Sequence, residues 1–148
     1  MYRTFILLKP ETLEKGLVGT VMKRFQEAGF SAEVFDYVCV TEERIVEHYA
    51  ELIVREGGTF RERVTRSYVG RYVIPIILVG ESQTIVSDAR KVIGATDPAK
   101  AVPGTIRGDL ATDTLELAIS EDRLCENLVH ASDSLEAYER EIQIWLDS

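Results

Sequence analysis

The stretch Asn127-Leu128-Val129-His130-Ala131-Ser132-Asp133-Ser134 sets a nucleophile among groups that can fix it. Two apolar residues carry a short strand into His130, and Ser132 and Ser134 then offer helix N-caps. An imidazole at such a junction has a fixed backbone and a side chain that still faces solvent. Imidazole is largely neutral at neutral pH and is then a usable nucleophile. Ser132, two residues on, is placed to set a hydroxyl beside it. A lone histidine at a strand end is more often structural than reactive, so this stretch needs support from the rest of the chain.

The elements that must position these groups follow from hydrophobic period and turn signals. Residues 2–8 are rich in β-branched and aromatic types, a strand stopped by Pro10. Leu17, Val18, Val21, Met22, Phe25 and Ala28 recur at helical spacing, and Gly29 closes that helix. Residues 32–40 form a second strand with no cleanly polar face, which suits a strand covered on one side by another subunit. Thr41 caps a helix with Glu42 and Glu43 in its first turn and Ile45, Val46, Tyr49, Leu52 and Ile53 on its buried face. Gly57-Gly58 breaks it, and Phe60, Val64 and Tyr68 mark a further helix.

Residues 72–79 are a nearly continuous apolar run and thus a buried strand, with a bulge or a missing hydrogen bond expected at Pro75. Ser82 caps the next helix, which carries Arg90 in its last turn and ends at Gly94. Residues 95–109 are a long loop punctuated by Pro98, Pro103, Gly104 and Gly108, the type of segment that more often carries function than not. Within 110–126, residues 114–119 alternate like a strand and 120–126 suit a helical turn. A last helix from about Ser134 to Leu146 turns Leu135, Tyr138, Ile142 and Trp145 inward. This order is that of a split βαβ, ferredoxin-like α+β domain, with helices on one face of a four-stranded antiparallel sheet.

At 148 residues the chain is most simply one domain, 1–148, able to bury roughly 68–70 % of its unfolded surface. Its 45 % hydrophobic and 28 % charged residues describe a globular chain. No apolar run approaches the ~20 residues of a membrane span, and Met1-Tyr2-Arg3-Thr4 has no signal-peptide architecture. Cys39 and Cys125 make neither a disulfide framework nor a CxxC pair. The expectation is a cytoplasmic protein with free thiols and no membrane partner.

Three segments, Thr4-Phe5-Ile6-Leu7-Leu8-Lys9-Pro10, Pro103-Gly104-Thr105-Ile106-Arg107-Gly108-Asp109 and the His130 stretch, occur in that order. Together they resemble nucleoside diphosphate kinase, a family with K-P after its first strand, P-G-[ST]-I-R-G-[DE] in a long loop and N-x-[IV]-H-[AG]-S-D-S around its active-site histidine. The resemblance runs from residue 2 to about residue 146. It implies ping-pong transfer of a γ-phosphate from a nucleoside triphosphate to a nucleoside diphosphate. His130 would attack through Nδ1, Glu141 would orient the imidazole, and Lys9 and Ser132 would assist.

The same resemblance makes Lys9, Tyr49, Arg90, Thr96, Arg107 and Asn127 nucleotide ligands, with extra helices forming the cleft. It points to Phe60 as the platform for the base, with Val64 beside it. It also implies Mg²⁺ held mainly by the nucleotide's phosphates, with Asp133 reaching it through water, and a dimer-based homo-oligomer. A net charge of −8 argues against stable nucleic-acid binding. It still allows a polyphosphate site where Lys9, Arg90 and Arg107 converge, because local geometry dominates within a Debye length of ~8–10 Å.

The chain departs from the family at three places. Arg55-Glu56-Gly57-Gly58-Thr59-Phe60 stands where the family has R-P-F-F, residues 110–126 are longer than the usual connection, and the family's C-terminal extension, which helps hold its oligomer, is not expected after Ser148. The alternative reading is a catalytically weak member acting as a nucleotide-binding or regulatory module. An RNA-binding module lacks the basic face and aromatic pattern it would need. A metal site on His48 and His130 lacks further clustered ligands, and His48 is expected on a helix surface beside Tyr49. No GxxxxGK[ST] loop is present.

Overall fold

The computed structural model describes residues 1–146. Strand β1 (Tyr2–Leu8) lies at the centre of the sheet, and its period-two pattern sends Ile6 and Leu8 to one face and Phe5 and Leu7 to the other. Helices α1 (Pro10–Glu14) and α2 (Val18–Glu27) lead to the interrupted edge formed by β2 (Ser31–Phe35) and β3 (Val38–Cys39). Helices α3 (Glu42–His48), α4 (Ala50–Glu56) and α5 (Gly58–Tyr68) precede β4 (Tyr72–Gly80), and α6 (Ile85–Ile93) follows it. A 3-10 turn at Pro98–Lys100, helices α7 (Ile106–Leu110) and α8 (Leu115–Ser120), strand β5 (Val129–Ala131) and α9 (Leu135–Trp145) complete the order. The sheet runs β2-β4-β1-β5, antiparallel throughout, with β3 continuing along β4. This is the ferredoxin-like α+β arrangement.

Helices α2 and α6 cover one face. Val21 and Phe25 from α2, with Ile85, Ala89 and Ile93 at i, i+4, i+8 on α6, pack on Ile6, Leu8, Ile76 and Leu78. Fully burying one such side chain is worth about 1.5–3 kcal/mol. The additional helices close the other face, where Ile45, Val64, Tyr68, Ile144 and Trp145 meet Phe5, Leu7 and Val73. Because β1 is covered on both sides, its run reads as continuously apolar.

Several sequence expectations shift in detail. The strand expected over 32–40 is interrupted at Asp36 and Tyr37, opposite Pro75. Asp36 N–H donates to the Pro75 carbonyl at 3.2 Å. A strand residue points its N–H and C=O to the same side, so the donor that Pro75 lacks falls on this interrupted edge and spares the β1 pairing. The helix expected from Thr41 to Gly57 breaks at Tyr49, which ends α3 and begins α4, and Gly57 adopts φ +91 to turn into α5. Thr41 caps α3 as expected, accepting from Arg44 N–H.

Residues 114–119 form helix α8, not a strand. Thr114 Oγ1 accepts the Leu117 N–H at 3.0 Å and starts the helix, and only Ala118 is buried, so the alternating Leu115, Leu117 and Ile119 stay exposed. A short apolar run cannot be assigned by period alone. In α9 the inward stripe is rotated: Glu141, Ile144 and Trp145 are buried while Leu135 is exposed. The rotation brings the Glu141 carboxylate under β5.

Candidate active site

Antiparallel pairing of β1 with β5 matches Leu7 with His130 and Leu8 with Val129. The C-terminal end of β1 therefore lies beside the N-terminal end of β5, and Lys9 meets Asn127 across a gap of 118 residues in sequence. Val129 and Ala131 point into the α2–α6 core, so the alternation of β5 turns His130 toward the opposite face, where α3 and α9 lie. Leu128, at the start of this strand, has φ +77, an uncommon conformation for a branched residue. It is held there from both sides. Its N–H donates to Glu11 Oε2 at 3.0 Å, and its carbonyl accepts from Lys9 N–H at 2.9 Å and from Thr12 Oγ1 at 2.6 Å.

His130 Nε2 lies 3.0 Å from each carboxylate oxygen of Glu141. An ionised carboxylate only accepts, so Nε2 carries the proton and the lone pair of neutral His130 is on Nδ1. Ser132 Oγ donates to Glu141 Oε1 at 2.5 Å. Burial works to raise the Glu141 carboxyl, but the bonds from His130 and Ser132 and the Arg140 charge outweigh it and hold its pKa below 4.5. Ser132 thus acts on Glu141 and not directly on the imidazole, and it is buried away from the cleft, capping no helix. Ser134 is the N-cap, accepting from Ala137 N–H.

His48 is buried, contrary to the surface position expected for it. Its ring stands edge-on to His130, with centroids 4.5 Å apart, and its Nδ1 accepts from Trp145 Nε1 at 3.0 Å. The stripe Ile45, His48, Leu52 at i, i+3, i+7 was the sequence signal for this burial. His48, His130 and Glu141 bring ligand-type atoms within 4.8 Å of one another. The single lone pair of neutral His48 is nevertheless engaged by Trp145, which leaves this trio a hydrogen-bonded cluster and not a prepared metal centre.

These groups open onto a cleft of about 640 Å³, within the size range of nucleotide and cofactor sites. Lys9, Tyr49, Arg90, Thr96, Arg107, Asn127, His130, Asp133 and Glu141 all line it. Lys9 Nζ donates to Asn127 Oδ1 at 3.0 Å and to the Cys125 carbonyl at 2.8 Å, with Glu11 Oε2 at 3.8 Å. Asn127 Nδ2 donates to the Thr96 carbonyl at 2.9 Å. Arg90 reaches the Ala131 carbonyl, and Arg107 spans the carbonyls of Gly94, Asn127 and Val129. Burial, then the neighbouring Arg90 charge, lowers the Arg107 pKa to about 10, so it stays cationic at neutral pH. An anion in the cleft relieves that repulsion.

A model of the family described as Nucleoside diphosphate kinase matches residues 2–148. The chain belongs to the nucleoside diphosphate kinase family. It is 38 % identical over 145 residues to the nucleoside diphosphate kinase of Methanococcus maripaludis, covering 98 % of both chains. It is 36 % identical over 146 residues to that of Streptococcus pneumoniae, covering 98 % of this chain and 99 % of the relative. Among solved structures it superposes on the Borrelia burgdorferi nucleoside-diphosphate kinase, a transition state mimic with bound vanadate and ADP, with TM-score 0.89 and 27 % identity over 98 % of this chain and 86 % of that one. An NDP kinase from Pyrobaculum aerophilum gives TM-score 0.84 at 29 % identity, over 97 % and 94 % of the two chains.

Two residues named from the family resemblance do not line the cleft of this nucleoside diphosphate kinase-family chain. Val64 is fully buried in the core with Tyr68. Phe60 packs edge-on against Tyr49, ring centroids 5.9 Å apart. Their i, i+4, i+8 register with Tyr68 is the core face of α5. The cleft wall comes instead from Glu51, Leu52 and Arg55 on α4, opposed by Glu136 and Arg140 on α9. Glu11 is a further residue of the site beyond those expected; the sequence Lys9-Pro10-Glu11-Thr12, with Pro at the start of a helix and an acid in its first turn, is its signal.

Proposed function

We propose that this chain transfers the γ-phosphate of a nucleoside triphosphate to a nucleoside diphosphate through a phosphohistidine at His130. The observation that carries this is the His130–Glu141 pair, whose fixed Nε2–H directs the lone pair of Nδ1 at the reacting phosphorus. Nδ1 attacks the γ-phosphorus and the bond to the β-bridging oxygen breaks. The nucleoside diphosphate departs with that electron pair, and the imidazolium formed is balanced by Glu141. A second nucleoside diphosphate then takes the phosphoryl group by the reverse displacement. Splitting one transfer into two displacements is covalent catalysis. Lys9, Arg90 and Arg107 neutralise the equatorial and bridging oxygens, where most of the acceleration of phosphoryl transfer arises. Tyr49, Thr96 and Asn127 line the same path.

Mg²⁺ suits this donor set in the way expected of a nucleotide-borne ion, which keeps several waters and uses few protein carboxylates. Asp133 is the cleft carboxylate that we assign to hold it, and the ion would supply charge neutralisation on the phosphates. The assembly we assign is a homo-oligomer built from dimers joined at the β2 edge. For location, the structure contributes that among the described residues no helix is long and apolar enough to cross a membrane.

The test is incubation with γ-labelled ATP and Mg²⁺ without acceptor, for the natural sequence and for His130→Ala. Acid-labile, base-stable label on the former alone, discharged by added GDP, is expected. Absence of label with nucleotide binding intact would overturn the reading in favour of a regulatory nucleotide-binding module.

A further inference from the structure

The 110–126 segment, a looped connection carrying α8, leads directly into the cleft wall at Asn127. Its polar centre is Asp113, which is 8 % exposed. Each carboxylate oxygen of Asp113 accepts two bonds. Oδ1 takes Arg123 Nη2 at 2.9 Å and Thr114 N–H at 2.8 Å, and Oδ2 takes Arg123 Nη1 at 2.6 Å and Glu126 N–H at 2.8 Å. Arg123 is fixed further by Glu121 Oε1 at 2.8 Å and by the Leu124 carbonyl at 3.2 Å. A bidentate arginine–carboxylate pair adds geometric definition as well as energy.

What this clamp holds is the backbone that serves the cleft. Cys125, between Arg123 and Glu126, gives its carbonyl to Lys9 Nζ, and Asn127, next to Glu126, gives its side-chain oxygen to the same ammonium. We propose that Asp113 and Arg123 are positioning residues for the phosphoryl transfer, fixing residues 123–127 so that Cys125 and Asn127 hold Lys9 at its place in the cleft. The inference rests on the reading of Lys9 as a phosphate ligand given above. The Asp113–Arg123 pair thereby gives a looped connection the rigidity that a short link has by its length alone. The Arg123 guanidinium, with the amides of Glu126 and Thr114, holds the Asp113 carboxyl well below the usual carboxylate range. The clamp therefore stays charged and closed at neutral pH.

The experiment uses the full chain as the natural sequence, Arg123→Ala, Arg123→Lys and the isosteric Asp113→Asn, with Arg123→Ala and Asp113→Asn also made in a Lys9→Ala background. Two readouts are taken, single-turnover formation of the phosphoenzyme and the hydrogen-exchange rate of the Lys9 ammonium by ¹⁵N-resolved NMR. The expected result is a fall of about 10- to 100-fold in phosphoenzyme formation for Arg123→Ala, the scale of a small misplacement of a catalytic group, with faster exchange at Lys9. Asp113→Asn should show the same two changes to a smaller degree, and Arg123→Lys should restore only part of the rate, since an ammonium cannot pair bidentately. In the Lys9→Ala background neither substitution should cost more, because groups acting through one another are non-additive. Full additivity, or unchanged Lys9 exchange in Arg123→Ala, would overturn the clamp while leaving the transfer reading intact. Absence of phosphoenzyme from the natural sequence would overturn both.

Discussion

At the scale of single residues, hydrogen-bond partners fix the orientation of the groups around His130. Glu141 holds the proton on Nε2 of His130, and Trp145 holds the lone pair of His48. The His48 pKa is pushed well below 6.5, first by burial and then by the charges of His130, Arg140 and Lys9. As pH falls below 6.5 the unfolded chain gains a proton at this position that the folded chain refuses. The unfolded state then binds more protons, so stability declines toward acid, by up to about 1.4 kcal/mol per pH unit for one group. Glu141 acts in the same direction lower down. Its folded pKa is depressed, so its contribution is complete above 4.5 and is lost as pH falls through the folded value. His48→Gln, which keeps an acceptor for Trp145, should flatten the loss of unfolding free energy between about pH 7 and about pH 5 in urea titrations. An unchanged slope would place the acid sensitivity elsewhere. Burial of His48 was marked in the sequence only by its spacing from Ile45 and Leu52, since neither Glu47 nor Tyr49 beside it signals an inward face.

At the scale of elements, the loop from Gly94 to Asp109 shows how a short helix is fixed at the cleft wall. Thr105 caps α7 by accepting the Gly108 N–H at 3.0 Å while its hydroxyl donates to the Val102 carbonyl at 2.7 Å. The turn is so close that a Cβ at Gly108 would run into the Val102 carbonyl and come within 2.8 Å of Thr105 Oγ1. Backbone cannot yield as a flexible side chain does. Gly108→Ala should therefore cost about 1–3 kcal/mol in stability, displace Arg107 from its carbonyls, and raise KM for both nucleotides more than it lowers kcat. Thermal unfolding and steady-state kinetics check this, and a variant with natural Tm and KM would show that the loop tolerates the shift. The loop was recognised from its Pro and Gly spacing. The helix inside it was not, because a five-residue helix (α7) gives no period to read.

At the scale of the whole molecule, the sheet has an exposed apolar edge at β2. Strand β2 pairs only with β4 among the described residues, and Val34, Phe35 and Tyr37 are 41 %, 71 % and 61 % exposed along this edge. An open edge with apolar side chains is a template for another strand, and a second copy offering its own β2 satisfies it symmetrically. Phe35→Glu should shift the proposed dimer-based assembly to monomer in sedimentation velocity at micromolar concentration with secondary structure retained. A natural sequence that sediments as a monomer would refute the assigned assembly. The break of this edge at Asp36 and Tyr37 traces to Pro75 on the neighbouring strand, a tension visible in the sequence whose resolution depended on which side the missing donor faced.

Reading the chain alone was enough for the order of most elements, the caps at Thr41 and Ser134, the two helices that pack on the first core, and the chemistry centred on His130. Each of these depends on residues near one another in the chain, where period and capping act. Tertiary packing decided the pairings that join distant segments: Lys9 on the Cys125 carbonyl 116 residues away, Glu11 on the Leu128 amide, His48 against His130, and Val64 in the core instead of the cleft. The first two follow from the antiparallel register of β1 with β5, and the others from the rotation and packing of helices on the opposite face. Register and rotation are set by how whole faces pack, which local pattern does not encode.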